Sequence, residues 1–326
     1  MIELRDFLEI DLPALATGTL AALACGLLGN FLLLQRRSLL GDAVSHVVLP
    51  GIVIAFLVTG SVGTWPMMFG AGAASVASVL LIDLVQRAAR IEPGAAMGVV
   101  LTTLFALGVV LLEQSGARAV HLDVQHALMG SLEGIVWLGA RDASDLVDPA
   151  RLATLPEPLV RLAIVALAVL LFLLLLRKEL AIASFDPDHA TSLGIPARGI
   201  GLLLLLASAA AAVAAFDAVG AILTIAMFVC PPATARMLTD RLGRQIGLSA
   251  LFAVSAGVLG YALAAWMPLA LGLERGLGAA GTIAVVAGGL LALSILFAPR
   301  YGAFARARAR SGRTRPGVGG EAGAGR

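Results

Sequence analysis

The sequence is poor in charged, cysteine and aromatic residues. Only 13% of its 326 residues are Asp, Glu, Lys or Arg, which is about half the fraction found in a typical soluble domain. Apolar runs recur along the whole length instead, so the composition excludes a soluble protein with a single anchor and predicts an all-α, polytopic membrane bundle. The two cysteines, Cys25 and Cys230, both lie in apolar runs, and we expect small buried residues rather than a disulfide or metal ligands.

Motifs for catalysis and nucleotide binding are missing as well. The sequence contains no H-E-x-x-H, G-x-S-x-G or G-x-x-x-x-G-K-[ST] pattern, and its four histidines are scattered. We therefore expect neither enzymatic activity nor a cofactor bound by this chain. The stretch 301–326 is basic and rich in glycine, which predicts a disordered tail whose arginines meet anionic lipid headgroups rather than nucleic acid.

At about 20 apolar residues for each span, the sequence predicts membrane helices near 13–35, 43–60, 65–87, 94–113, 157–177, 200–216, 218–236, 245–266 and 279–298. The connection at 216–220 is so short that the two helices around it can be broken or only partly spanning. We therefore expect eight or nine spans, which together form one transmembrane domain over residues 1–300.

Most arginines and lysines fall on one side of these spans. They are Arg36, Arg37, Arg87, Arg90, Arg177, Lys178, Arg198, Arg236, Arg241 and Arg244. Loops on the cytoplasmic side of a membrane carry an excess of Lys and Arg, so this side is predicted to be cytoplasmic. The N-terminus of this multi-pass protein is then expected outside and the C-terminus inside the cell.

One loop on the basic side contains residues that typically start and stop a short helix, at about 186–195. Asp186 suits the N-cap, Pro187 suits the first helical position, and Gly194 suits the helix stop. A helix of about eight residues is too short to be stable by itself in water. It must therefore either pack against this protein's own helix ends or dock into a groove on a separate protein.

Three stretches resemble the permease subunits of zinc-, manganese- and iron-type ABC metal importers. The first is the loop helix itself, D-P-D-H-A-T-S-L-G at 186–194. The second is R-R-S-L-L-G-D-A-V-S-H-V-V-L-P-G at 36–51, which lacks one residue, usually Met, that family members often carry before the serine. The third is V-G-A-I-L-T-I-A-M-F-V-C-P-P-A-T-A-R-M-L at 219–238, where Pro232 replaces the usual Ala.

The resemblance implies a type II ABC importer-like fold and one half of a homodimeric pore in the lipid bilayer. It implies a separate cytoplasmic ATPase subunit, which binds the ATP, and an extracytoplasmic metal-binding protein. The transported ion would be Zn²⁺, Mn²⁺ or Fe²⁺. The loop helix would be the coupling helix, capped by Asp186 and Pro187, with Ala190 and Gly194 allowing close approach to the ATPase.

Asp42 and His46 are four residues apart at the start of the second predicted span, so a helix places them on one face. Ionisable residues in a membrane usually face the bundle interior or a water-filled path, and these two side chains carry suitable donors for Zn²⁺ or Mn²⁺. Two such ligands from each half of a homodimer can form a transient four-ligand site. A structural alternative stays open, in which Asp42 caps its helix near Arg36 and Arg37 while His46 bonds a neighbouring helix. The family motif contains both residues and favours the metal pathway.

Four residues on the outer side are weaker candidates. His121, Asp123 and His126 can receive metal from the binding protein, or they can touch that partner as exposed loop residues. Asp217 is either a turn residue or an acidic lining of the outer vestibule.

Three other functions remain open from the sequence. A permease for a metal chelate such as a siderophore or cobalamin resembles this fold, but typically carries an additional N-terminal span and different gate motifs. A proton-coupled secondary carrier can use Asp42 and His46 as a relay. An intramembrane metalloenzyme needs a third metal ligand, which is not evident.

Overall fold

The computed structural model describes residues 4–60, 64–114, 132–139, 142–272, 276–299 and Gly302. No strand occurs in this part of the chain. Its helices of six or more residues, in chain order, are α1 Leu12–Leu34, α2 Leu40–Thr59, α3 Thr64–Ala89, α4 Pro93–Gln114, α5 Glu157–Leu175, α6 Arg177–Phe185, α7 Pro187–Ser192, α8 Ala197–Leu238, α9 Leu242–Leu271 and α10 Ala279–Phe297. Eight of them, all except α6 and α7, are long and apolar enough to cross a membrane. The predicted all-α membrane bundle is confirmed.

The bundle has two chemically different ends. α1 and α9 are antiparallel neighbours: Gln245 Nε2 donates to Asn30 Oδ1 at 3.1 Å near one end, and Tyr261 donates to Asp11 Oδ1 at 2.8 Å near the other. Asn30 and Gln245 are fully buried, so this pair satisfies polar groups inside the bundle. The end near Asn30 also carries Arg36 and the other basic loop residues predicted above, and we call it the basic end.

α8 is a 42-residue helix with one break, at Gly220, whose backbone is left-handed (φ 79°, ψ 173°). A straight helix of that length would extend about 63 Å. Instead, Arg198 lines a cavity at the basic end, Asp217 pairs with Arg161 at the start of α5, and Phe228 packs on Gly41 at the start of α2. The chain therefore reverses at Gly220, and its halves 197–219 and 221–238 correspond to the two predicted spans around this connection.

The core surrounds α1, in which most residues are buried and none is exposed. α1 packs on the second half of α8 and on α9, and glycine allows the closest approach: a Cβ added to Gly29 would lie 2.9 Å from Pro232 Cγ. α2 crosses α3 in the same way, because a Cβ on Gly51 would lie 2.5 Å from the Gly70 carbonyl oxygen. Close backbone contact between small residues is the usual way that helices associate in membranes.

The segment between α4 and α5 contains only short helical turns where it is described. Trp137 is buried and donates from Nε1 to Thr154 Oγ1 at 3.1 Å, while its backbone N–H donates to the Glu9 carbonyl at 2.7 Å. A Glu133 carboxylate oxygen accepts from the backbone N–H of Ala279, at the start of α10. These contacts anchor the segment to the end opposite the basic end.

Candidate metal pathway and coupling surface

The acid–imidazole pair predicted at the start of α2 is formed. His46 Nε2 lies 3.4 Å from Asp42 Oδ1, as expected for residues one helical turn apart. The N-cap of α2 is Leu39, which makes no side-chain capping hydrogen bond, and Asp42 is the third residue of the helix. The capping alternative for Asp42 therefore does not hold, and its carboxylate is directed to the imidazole instead.

The pair lies where α2 faces α4. The His46 ring meets the Phe105 ring of α4 edge to face, with centroids 5.5 Å apart and an interplanar angle of 78°. One turn further along, Pro50 packs on Gly108, since a Cβ there would lie 2.8 Å from Pro50 Cδ. The two helices thus hold the imidazole in a defined orientation while leaving both polar side chains 36% exposed.

Such exposure inside a membrane span has a physical consequence. A carboxylate and an imidazole are costly to place against hydrocarbon, so this surface must face a water-filled path or another protein chain. Among the described residues, no group of three or more His, Cys, Asp or Glu side chains is positioned to hold a metal ion. Asp42 and His46 by themselves therefore offer two donors, where Zn²⁺ prefers four.

The loop helix forms as the sequence predicts, although it is shorter, with six residues in α7. The Asp186 carboxylate accepts from the His189 backbone N–H at 2.9 Å, and Pro187 is the first helical residue. Gly194 is left-handed (φ 79°), and the backbone N–H groups of Gly194 and Ile195 donate to the carbonyls of Thr191 and Ala190 at 3.0 and 2.9 Å. This is a complete Schellman motif, so both ends of α7 are locally satisfied.

One residue attaches α7 to the bundle, and the rest of its surface is open. Ala190 has no exposed surface and belongs to the main core cluster. The close approach to a partner expected at Ala190 is therefore not available in this structure, because its methyl group packs on the protein's own helices. The other residues of 186–194 are exposed, including Gly194 and the apolar Leu193. This helix is thus partly packed on the bundle and otherwise exposed.

Asp217 is neither an isolated turn residue nor a free acid. It forms an ion pair with Arg161 of α5, whose Nη1 also lies 3.0 Å from Met68 Sδ of α3. The Arg161 side chain is only 15% exposed, whereas Asp217 is 45% exposed. The pair joins α5 to the end of the first half of α8, three residues before the reversal at Gly220.

Replacing Asp217 with Asn is expected to destabilise the protein by about 1 kcal/mol, because a mostly buried guanidinium loses its counter-ion. The melting temperature in detergent should fall by about 2–4 °C, and the charge swap R161D/D217R should restore most of it. Glu9→Gln is the control, since the guanidinium that it leaves without a partner, Arg5 at the same end, is 59% exposed, and it should shift the melting point little. An equal shift of the melting temperature in both single variants would contradict the stabilising role of the Arg161–Asp217 pair.

The other outer candidates, His121, Asp123 and His126, lie outside the described residues. Sequence reasoning also missed Arg161, because 56 positions separate it from its partner and no local pattern links them. The edge contact with Phe105 had no sequence signal either, since one phenylalanine in an apolar helix is unremarkable in composition. Cys25 and Cys230 are both free; Cys25 is buried, as predicted, whereas Cys230 is only partly buried.

Comparisons with known proteins cover nearly all of this architecture. The sequence matches the model of a family described as the ABC 3 transport family over residues 8–138 and 151–298. It is 40% identical to the manganese transport system membrane protein MntD of Bacillus subtilis over 288 residues, which are 88% of this chain and 92% of that protein. It is 37% identical to the zinc transport system membrane protein TroD of Treponema pallidum over 285 residues, or 87% of this chain and 73% of that protein.

Comparisons with solved structures agree with these sequence comparisons. The fold is similar to a chain of PsaBC from Streptococcus pneumoniae in complex with Fab, with a TM-score of 0.66, 28% identity, and coverage of 89% of this chain and 92% of that chain. It is also similar to a metal-chelate type ABC transporter in an inward-facing conformation, with a TM-score of 0.63, 16% identity, and coverage of 90% and 89%. The second likeness concerns the fold alone.

Proposed function

The chain belongs to the ABC 3 transport family, and from that premise we propose that it is the permease subunit of an importer that moves Mn²⁺ or Zn²⁺ into the cytoplasm. The family and the named relatives support a metal ABC transporter permease. Fe²⁺ remains a third candidate on donor chemistry, because a carboxylate–imidazole pair suits all three ions. The observation that carries the proposal is the half-exposed Asp42–His46 pair inside a span.

The pair suits a conduit better than a storage site. Two donors bind a divalent ion weakly, and a second copy of the chain related by a two-fold axis would bring the number to four. Each copy would present the same α2–α4 surface, so a symmetric dimer completes the site without any further residue type. Such a site would bind the ion with four ligands when the two copies are close together, which allows selection. It would release the ion when only two ligands remain.

Energy for transport is proposed to enter through α7. A separate ATPase subunit would seat the exposed face of α7, while Ala190, at 0% exposure, fixes the helix to the bundle. α6 precedes α7 and α8 follows it directly, so a displacement of α7 is transmitted to the long helix that reverses at Gly220. The basic end would accordingly face the cytoplasm of the cell whose inner membrane holds the protein, and an extracytoplasmic metal-binding protein would deliver ions at the other end.

The chelate and carrier alternatives differ in what they require. A chelate permease needs a path wide enough for a large transported molecule. A bare metal ion needs coordinating side chains that line the path, such as those of Asp42 and His46. A proton-coupled carrier can use the same pair, but it gives no role to a capped, exposed helix of six residues. The exposed surface of α7 therefore favours the ATP-driven transporter over the carrier.

ATP dependence tests the proposal directly. In proteoliposomes that hold this chain and its ATPase subunit, uptake of radioactive Mn²⁺ or Zn²⁺ is expected only with ATP, and vanadate should stop it. A proton gradient without ATP should give no uptake. Transport that persists without ATP and collapses with an uncoupler would overturn the proposal and favour the carrier.

A further inference from the structure

A cavity of about 780 Å³ lies at the basic end, beside α7. It is open to one side and lined by the α1–α2 connection, the α3–α4 connection, α6, α7 and the start of α8. Its polar and charged lining residues are Gln35, Arg36, Arg37, Asp83, Gln86, Arg87, Arg90, Ser184, Asp188, Thr191 and Arg198. We call this space the basic-end cavity. Its volume is in the range of sites that hold a small molecule.

The cavity carries an excess of positive charge. Five guanidinium groups and two carboxylates line it, and one of the carboxylates, Asp83, is paired with Arg87. The side chains of Arg36, Arg90 and Arg198 make no hydrogen bond or ion pair with any residue that the structure describes. Like charges gathered in one partly enclosed space repel one another, so an anion in the cavity would stabilise the arrangement.

Two of these arginines have an unusual backbone. Arg36 and Arg90 are left-handed, with φ of 57° and 53°, and they are the only non-glycine residues with positive φ in the described chain. Each ends a span where glycine would be free of strain. Backbone strain of this kind often marks functional sites, and here both strained residues line one cavity.

The frame of the cavity is otherwise well connected. Gln35 Nε2 donates to Ser184 Oγ at 3.1 Å and Arg37 Nη2 donates to Gln86 Oε1 at 3.1 Å. Burial lowers the pKa of the Arg37 guanidinium, because the charged form loses water contacts. These bonds fix the walls, while Arg36, Arg90 and Arg198 keep their donors for a ligand.

We propose that the basic-end cavity binds an anionic phosphate group through Arg36, Arg90 and Arg198, as the headgroup of an anionic phospholipid presents it. The three residues lie within two positions of a span end, which is the depth at which headgroups lie and long basic side chains reach them. Guanidinium groups match phosphate oxygens in geometry and charge. Since Asp188 and Thr191 of α7 line the same cavity, the bound headgroup would connect the ends of three spans to α7.

Lipid retention by the purified full chain tests this site. The variant R36Q/R90Q/R198Q should retain phosphatidylglycerol about 100-fold less than the unchanged protein, since each basic residue near an anionic headgroup strengthens binding several-fold. Glutamine is no more strained than arginine at positions 36 and 90. The control R177Q/K178Q/R244Q removes as much charge at the same end from positions that are likewise exposed but lie outside the cavity lining, and it should retain the lipid normally.

Native mass spectrometry with phosphatidylglycerol, phosphatidylcholine and inorganic phosphate separates the outcomes. Competition by millimolar phosphate would assign the site to soluble phosphate, and lack of competition would assign it to the lipid headgroup; both support a phosphate site.

Arg198 lies in a regular helix, so the single variant Arg198→Gln is expected to fold even if the triple variant misfolds. It should weaken lipid retention about fivefold by itself. Equal retention by the cavity and control variants would overturn the proposal. So would loss of ATPase binding by the cavity variant with lipid retention unchanged, which would indicate a protein partner instead.

Discussion

Replacing Asp42 with Asn is expected to lower metal uptake about 100-fold while the chain still assembles with its ATPase subunit. The change keeps the shape of the side chain and removes its charge. Loss of residues that only orient a metal ligand typically lowers affinity 10- to 100-fold, so the loss of a direct ligand should reach at least the upper figure. In a two-fold dimer one substitution also removes two of the four proposed ligands at once.

The stability of the variant should change little, because the Asp42 side chain is 36% exposed and contacts His46 at 3.4 Å. Uptake of radioactive metal and ATPase activity should be measured on the same proteoliposome preparation. Glu92→Gln serves as the matched control, since it removes one exposed carboxylate just outside a span and should leave uptake unchanged. Normal uptake by the Asp42→Asn variant would contradict a role in the metal pathway and indicate that Asp42 and His46 are structural.

Replacing Gly194 with Val should uncouple ATP hydrolysis from transport. Gly194 has φ of 79°, a conformation that costs a non-glycine residue about 1–2 kcal/mol and that a β-branched side chain adopts least readily. The Schellman motif at the end of α7 would then rearrange, and the short helix would lose its defined geometry. We expect transport to fall more than tenfold while ATP hydrolysis continues, since the nucleotide site is proposed to lie in another subunit.

The chain offers a closely matched control for this substitution. Gly272 ends α9 at the opposite end, also with a left-handed backbone (φ 65°) and with open space around its Cα. Gly272→Val therefore introduces similar backbone strain far from α7, and it should leave the ratio of transported ions to hydrolysed ATP unchanged. A loss of coupling in both variants would mean that strain in general, and not α7, disturbs the cycle.

The sequence predicted features that depend on local chemistry. Apolar run length located the spans, and the order Asp186, Pro187, Gly194 located the helix between them, because capping groups act within a few residues. The i, i+4 spacing of Asp42 and His46 was enough to place both side chains on one helical face. Each of these predictions needs only the geometry of a single helix.

Features that depend on tertiary packing were not predictable. The burial of Ala190 follows from how α7 lies against the bundle, and nothing in the D-P-x-x-A pattern distinguishes an anchoring face from a docking face. The Arg161–Asp217 pair and the basic-end cavity gather residues from distant segments. Only the folded chain reveals that Arg36, Arg90 and Arg198 share one space.

The most direct test of the account is to detect His46 as a ligand of the transported ion. Mn²⁺ trapped in the assembled transporter can be examined by electron spin echo envelope modulation, which reports directly bound nitrogen. The account predicts nitrogen modulation that disappears in the His46→Gln variant and one bound ion for two copies of this chain. Modulation that persists without the His46 imidazole, or a trapped ion with no nitrogen ligand, would contradict it.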